Sequence, residues 1–260
     1  MQIGQYEIAR KIGEGGFAKT YLGKHPILGT PVCLKHNIRM TTEDEELLRK
    51  EAEIISGLMG HHSLPAFRDF IRHEEAYVLI TSFIPGKDLA RIRKEDYPDG
   101  IPPEHVCYIA QRSLNALHFL HYYGVVHGDV KPGNMILKPE DQNVTLVDYG
   151  LATVLPGRYT RSPGYTPAFA APEQLEGKPP IPETDIYCLG KTLIDLLGGN
   201  IRSNTFPEGI PLPLKAFILK MVREKVLERP QKALPLVSEL VEIRKRVFER
   251  VQCPDVLNIS

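Results

Sequence analysis

Apolar and polar positions alternate through the first third of the chain. "YEIARKIG" and "AKTYLGKH" switch character residue by residue on either side of a glycine cluster, and "TPVCLKHNI" adds a run rich in β-formers. These predict strands. The period then lengthens. "EDEELLRKEAEIISGLMG" puts Leu47, Leu48, Ile54, Ile55 and Leu58 on one helical face, with acidic residues in the first turn where they complement the helix dipole. "AFRDFIRHEEAYVLITSFI" predicts a hairpin that turns near Glu74–Glu75.

After "PGKD" the pattern is mainly helical. "PPEHVCYIAQRSLNALHFLHYYG" predicts a long buried helix, opened by proline and closed by Gly124. Two short β-like runs follow, "NMILK" and "NVTLVDYG". Further on, "ETDIYCLGKTLIDLLGG", "LPLKAFILKMVREKV" and "KALPLVSELVEIRKRVFERV" predict three helices. The zones densest in Pro and Gly, 156–182 and 198–213, read as surface connections. No internal repeat or low-complexity tract is visible. Composition shifts near 82–86, which divides one domain, 1–260, into a strand-rich lobe (1–82) and a helical lobe (83–260).

A chain of 260 residues with 42% hydrophobic content is long enough to bury a sizeable core. Lys plus Arg and Asp plus Glu balance at 32 each, so the basic surplus of a nucleic-acid binder is missing. Cys33, Cys107, Cys188 and Cys253 lie far apart, with no CxxC pair to suggest zinc or redox chemistry. "MQIGQYEIARKIGEGG" contains no apolar signal core, and no run reaches the length of a membrane span. A soluble protein of the reducing cytoplasm is expected.

Chemistry concentrates in "VVHGDVKPGN", residues 125–134. Asp129 suits the role of proton acceptor from an attacking hydroxyl. Lys131 suits neutralisation of a moving phosphoryl group, and the Asn134 amide oxygen suits a metal ion. A second carboxylate for Mg2+ stands at Asp148, at the end of a β-like run. Upstream, Gly13, Gly15 and Ala18 follow a G-x-G-x-x-G pattern between two strands, where backbone N–H groups can face phosphates. Taken alone, Gly13, Gly15 and Gly16 also fit an ordinary hairpin turn. Lys35 follows on the next strand as a cation for the α- and β-phosphates, or as a solvated strand lysine. Glu51 can pair with it. Its helix also carries Glu43, Glu45, Glu46 and Glu53, and Glu53 is the alternative partner.

In order and spacing, Gly13-x-Gly15-x-x-Ala18, Lys35, Glu51, His127-x-Asp129-x-Lys131-x-x-Asn134, Asp148-Tyr149-Gly150 and Ala171-Pro172-Glu173 make up the protein-kinase signature set. The chain resembles the protein kinase superfamily, most closely bacterial Ser/Thr kinases of the eukaryotic type, from Tyr6 to about Arg250. The resemblance implies an α+β, bilobal protein kinase fold, with a small antiparallel-sheet N-lobe and a larger, mainly helical C-lobe. It implies ATP and Mg2+ as cofactors and a protein substrate. It makes Thr81 the gatekeeper and Ser82–Ile84 the hinge that meets adenine. Thr20, Cys33 and Ile136 become contacts of the nucleotide, Gly16 part of the phosphate loop, and Asp88 a candidate for the ribose hydroxyls. Asp185 resembles the family's buried brace of the catalytic loop, Arg229 the structural partner of Glu173, and His127 a core scaffold residue. His61 and His62 match the position before the fourth strand.

Lys131 and "GYTPAFAAPE" resemble the Ser/Thr type, with Thr166 placed to bond Asp129 and Lys131. Thr153, Thr160 and Ser162 are candidate self-phosphorylation sites; Tyr159 and Tyr165 lie nearby. The chain also departs from the family. Gly128 stands where many kinases carry the Arg that meets a loop phosphate, which implies less dependence on phosphorylation at Thr160 or Ser162. Tyr149 replaces Phe, and Ala18 replaces the third Gly. Only "GNIRSNTFPEGIPL" separates two helices where the family places another, so docking in the family manner is in doubt. A pseudokinase scaffold and a small-metabolite kinase are the competing readings. The complete catalytic set argues against the first, and the "APE" segment with Thr166 against the second.

Overall fold

The alternating runs at the N-terminus pair with one another in the computed structural model, which describes residues 2–15, 18–38, 41–58, 60–157, 160, 163–249 and 256–259. The chain divides into two contact-rich units. One comprises the residues up to Pro85 together with Asp148–Gly150; the other comprises Gly86–Val147 and the residues from Leu151 onward.

The first unit is a six-stranded antiparallel sheet in the order β1-β2-β3-β4-β6-β5. Its strands are β1 (Gln2–Ile3), β2 (Tyr6–Glu14), β3 (Ala18–Lys24), β4 (Pro31–Asn37), β5 (Phe67–His73) and β6 (Ala76–Ser82). Alternation puts Ile3, Tyr6, Val32, Leu34, Val78 and Ile80 into one buried cluster, flanked by Ile8, Tyr21 and Ile71. Glu74 and Glu75 form the β5–β6 turn, with His73 opposite Ala76. Helix α1 (Thr42–Gly57) opens with the Thr41 hydroxyl accepting from the Asp44 N–H at 3.2 Å, and carries Glu43, Asp44 and Glu45 in its first turn. It buries Leu48, Glu51, Ala52, Ile54 and Ile55; Leu47, at the margin of the predicted face, is half-buried.

The second unit is mainly helical. Its helices are α2 (Leu89–Arg91), running into a π-helical turn over Ile92–Asp96, α3 (Pro103–Tyr122), α4 (Pro172–Leu175), α5 (Pro182–Leu196), α6 (Leu212–Met221) and α7 (Ala233–Phe248). Short strands β7 (Lys87–Asp88), β9 (Met135–Leu137) and β10 (Val144–Leu146) form a sheet in the order β10-β9-β7, and β8 (Val125–Val126) pairs with β11 (Thr153–Val154). Helices α3 and α5 supply its core: Leu114, Leu117, Leu120, Leu189, Leu193 and Leu196 are fully buried. Gly124 ends the α3 region at φ 70°, a conformation that glycine adopts without strain.

A strand-rich unit and a helical one make up the α+β fold that the sequence predicts. Three features differ from the pattern reading. Helix α6 stops at Met221, short of "VREKV". The backbone carbonyls of Arg223 and Glu224, which a continuing helix would use, instead accept from the Arg229 guanidinium at 2.6 and 2.8 Å. The zone 156–182 is not wholly surface, because α4 lies within it and buries Glu173 and Gln174. Strands β1, β7, β8 and β11 and the π-helical turn are too short for a hydrophobic period to reveal. No helix forms between Leu197 and Pro211, where turns and a bridge from Asn200 to Thr205 connect α5 to α6. Among the described residues no helix is long and apolar enough to cross a membrane.

Candidate active site

In the first unit the ionisable groups converge on Lys35. The residue lies on β4, between Thr20 of β3 and Leu79 of β6. Its ammonium donates to Glu51 Oε2 and to Asp148 Oδ1, both at 2.6 Å. Glu51 is 3% exposed because its helical phase matches that of Leu48, Ile54 and Ile55, whereas Glu53 points to solvent. The Tyr149 N–H donates to the other Glu51 oxygen, Oε1, at 3.2 Å. Asp148 adopts φ 66°, a left-handed conformation that a non-glycine residue holds only against strain. Tyr149, 1% exposed, borders a small apolar cavity with Ile55, Leu58, Leu64 and Pro65.

Burial alone would push the Lys35 ammonium down, but the Glu51 and Asp148 carboxylates outweigh it and hold the group well above its ordinary value. Burial, with the Asp148 charge, raises the Glu51 carboxyl against the pull of Lys35. Two carboxyl groups therefore share one cation.

Gly13 and Gly15 lie on the β2–β3 hairpin. Gly13 sits opposite Thr20, and the Gly15 N–H donates to the Ala18 carbonyl at 2.9 Å. Gly16 lies outside the described residues. Cys33 is the cross-strand partner of Leu22 and of Thr81, which brings two predicted adenine neighbours side by side. Burial pushes the Cys33 thiol up to about 11, against a hydrogen bond from Thr81 and the charge of Lys35. The Ser82 N–H is taken by the Ala66 carbonyl at 2.8 Å, and Ile84 is half-buried.

In the second unit the groups converge on Asp129, which is 5% exposed. Lys131 donates to Asp129 Oδ2 at 2.6 Å and to the Thr166 hydroxyl at 2.7 Å; that hydroxyl donates to Asp129 Oδ1 at 2.7 Å. Asn134 Nδ2 donates to the Asp129 carbonyl and to Oδ2, both at 3.0 Å, which turns its amide oxygen the other way. The loop is braced from below. Asp185, fully buried on α5, accepts from the His127 N–H at 2.9 Å and the Gly128 N–H at 2.8 Å. His127 Nδ1 accepts from the Asp129 N–H at 3.3 Å, and Nε2 meets the Val147 carbonyl at 3.2 Å, so the hydrogen resides on Nε2. Asp88 caps α2 by accepting from the Arg91 N–H at 2.9 Å and stands opposite Ile136 in the β7–β9 pair.

Farther along, Arg229 grips Glu173 with two bonds of 2.7 and 2.8 Å. Thr184 adds a third at 2.8 Å. Of the candidate phosphorylation sites, Thr153 is corrected. It is 2% exposed and held in β11 opposite Val126, so its hydroxyl is enclosed in this fold. Thr160 folds back on its turn, with Gly157 N–H donating to its hydroxyl at 2.8 Å. Ser162 and Tyr159 lie outside the described residues. Pattern reading does not single out Gln174, which the fold buries against the 125–134 loop, with Nε2 donating to the Gly128 carbonyl at 2.8 Å. The available signal was a Gln at the third position of a helix opened by proline, a capping arrangement.

The chain matches the Protein kinase domain family over residues 6–241. It is similar to the Hormonally up-regulated neu tumor-associated kinase homolog A of Xenopus laevis, 30% identical over 244 residues that cover 90% of this chain and 33% of that protein. It is similar to Serine/threonine-protein kinase D of Synechocystis, 30% identical over 74% of this chain and 40% of that protein. Serine/threonine-protein kinase PrkC of Bacillus subtilis is 29% identical over 76% of this chain and 31% of that protein. The chain belongs to the protein kinase domain family. It spans about a third of the length of the relatives it matches.

Proposed function

We propose that this chain transfers the γ-phosphate of ATP to Ser or Thr hydroxyls of a protein, in the cytoplasm and with Mg2+. The observation that carries the reading is the closed set of bonds among Asp129, Lys131, Thr166 and Asn134. Asp129 is poised to accept the proton of the attacking hydroxyl, and Lys131 to neutralise charge on the moving phosphoryl group. Thr166 holds both in register. Lys35, tethered by Glu51, meets the α- and β-phosphates. Thr20, Cys33, Thr81, Ser82, Ile84, Asp88 and Ile136 hold the nucleoside. Asp148 and Asn134 are the metal ligands of this proposal; their hard oxygen donors suit Mg2+, which supplies charge neutralisation at the phosphates when bound. Positioning and preorganised charge then do most of the catalysis. The bacterial relatives' names support Ser and Thr as acceptors.

The test is transfer from Mg-ATP to the protein itself and to a generic basic protein, with products mapped by mass spectrometry. Asp129→Asn should reduce turnover by about a thousandfold or more, since it removes the proton acceptor, while leaving ATP binding intact. ATP binding by the native chain without any transfer would favour the scaffold reading. Because Gly128 provides no side chain to meet a loop phosphate, phosphatase-treated enzyme should retain its initial rate. A rate that returns only with phosphate on Thr160 or Ser162 would overturn that part.

A further inference from the structure

We infer that Gln174 is a positioning residue for Asp129, acting through the Gly128 carbonyl; the inference rests on the kinase reading of that site. Gly128 immediately precedes Asp129 and adopts φ 74°, and a Cβ there would lie 2.9 Å from the Leu151 carbonyl oxygen. The close approach requires glycine. Glycine also has the most backbone freedom to lose, so nothing in the residue itself holds this conformation. The restraint has to come from outside.

It comes from two side chains of opposite hydrogen-bonding sense. Asp185 Oδ1 accepts from the Gly128 N–H at 2.8 Å and fixes the peptide plane before Gly128. Gln174 Nε2 donates to the Gly128 carbonyl at 2.8 Å and fixes the plane after it. That second plane is rigid and includes the Asp129 nitrogen. Its other bond, from the Asp129 N–H to His127 Nδ1, is longer at 3.3 Å. Gln174 is thus the shorter of the two restraints on the plane that aims Asp129.

Gln174 is itself locked. It is 1% exposed, and its Oε1 accepts from the Ala171 N–H at 3.0 Å and faces the Cys188 thiol at 3.5 Å. Oxygen toward Ala171 leaves the amide NH2 toward Gly128. One side chain thereby ties the start of α4 to the catalytic loop. If the plane rotated, Asp129 would give up its 2.6 and 2.7 Å bonds to Lys131 and Thr166.

Gln174→Glu separates this role from simple packing. It keeps the length and the acceptor for Ala171, but it can donate to the Gly128 carbonyl only while protonated. Burial, together with the carboxylates of Asp185, Asp129 and Glu173, already holds the neighbouring Cys188 thiol well above its ordinary value, so a carboxyl introduced there ionises late. Relative to the native enzyme at each pH, the variant should approach native kcat at low pH and fall by about ten- to a hundredfold as pH rises, a loss on the scale of a small misplacement. KM for ATP should stay within about twofold, the pattern of an interaction realised in turnover and not in binding. Gln174→Leu should show a comparable loss at every pH. Amide protection of residues 126–134, measured without nucleotide as the exchange rate relative to that of an unstructured chain at the same pH, should fall in Gln174→Glu over the same pH range and stay level in the native chain. A lower melting temperature with a native pH profile and native exchange in that loop would make Gln174 a packing residue only and overturn the inference. If the native chain transfers no phosphate, the proposed function fails by itself. The exchange comparison still decides the inference: a pH-linked loosening supports it, and an unchanged loop overturns it.

Discussion

Lys35 is held by two acidic groups of different standing. Glu51 is buried and accepts from both Lys35 and the Tyr149 N–H, while the Asp148 side chain is 48% exposed. Removing the Glu51 charge leaves Lys35 free to follow Asp148 alone. Glu51→Gln should therefore lower kcat/KM by about ten- to a hundredfold through misplacement of the ammonium, with the fold intact by circular dichroism. Glu53→Gln, on the solvent side, should change nothing. Equal rates for Glu51→Gln and the native enzyme in steady-state assays would remove Glu51 from the site. At this scale much was legible. Lys35, Asp129, Asn134 and Asp148 stand in spacings that chemistry explains, and helical phase distinguishes Glu51 from Glu53. The enclosure of the Thr153 hydroxyl leaves no trace in the sequence, because a two-residue strand gives no period.

Among elements, Arg229 beyond α6 bonds Glu173 on α4 twice and also takes up the Arg223 and Glu224 carbonyls just past the end of α6. Burial would raise the Glu173 carboxyl, but Arg229 and Thr184 hydrogen bonds more than compensate and hold it below its ordinary 4.5. A carboxyl depressed on folding contributes stability that is fully present above its unfolded value and is lost as pH falls through the folded one. The stability gap between the native chain and Glu173→Gln, from urea unfolding, should thus close as pH is lowered from neutrality to below that range. A gap constant down to strongly acidic pH would contradict this account. Arg229→Ala leaves the carboxylate buried without its partner and should cost about 3–5 kcal/mol. The sequence announced both residues but not the consequence for α6, because carbonyl capture by a distant guanidinium leaves no local signal.

For the whole molecule, the sequence conveys the class of each half because long periods are explicit in it. It conveys little of β7, β8, β11 or the turns between α5 and α6, which are set by pairing and not by patterning. A nucleotide and metal that bind only the folded chain must stabilise it by mass action. Mg-ATP at about a hundred times its dissociation constant should add about 2.7 kcal/mol, read as a rise in the melting temperature. Asp148→Asn should lose the part of that rise that depends on Mg2+ and keep the part given by ATP with chelator. A full Mg2+-dependent rise in that variant would remove Asp148 from metal binding.

The assignment of Asp148–Gly150 to the first unit has a consequence for anyone who divides the gene. The unit is not one continuous stretch of coding sequence. A fragment ending at Pro85 encodes the sheet, Lys35 and Glu51, but it leaves behind the carboxylate that meets the lysine and the amide that meets the glutamate. Such a fragment is an incomplete module, and its complement carries the missing piece. Each half alone lacks part of the Lys35 cluster.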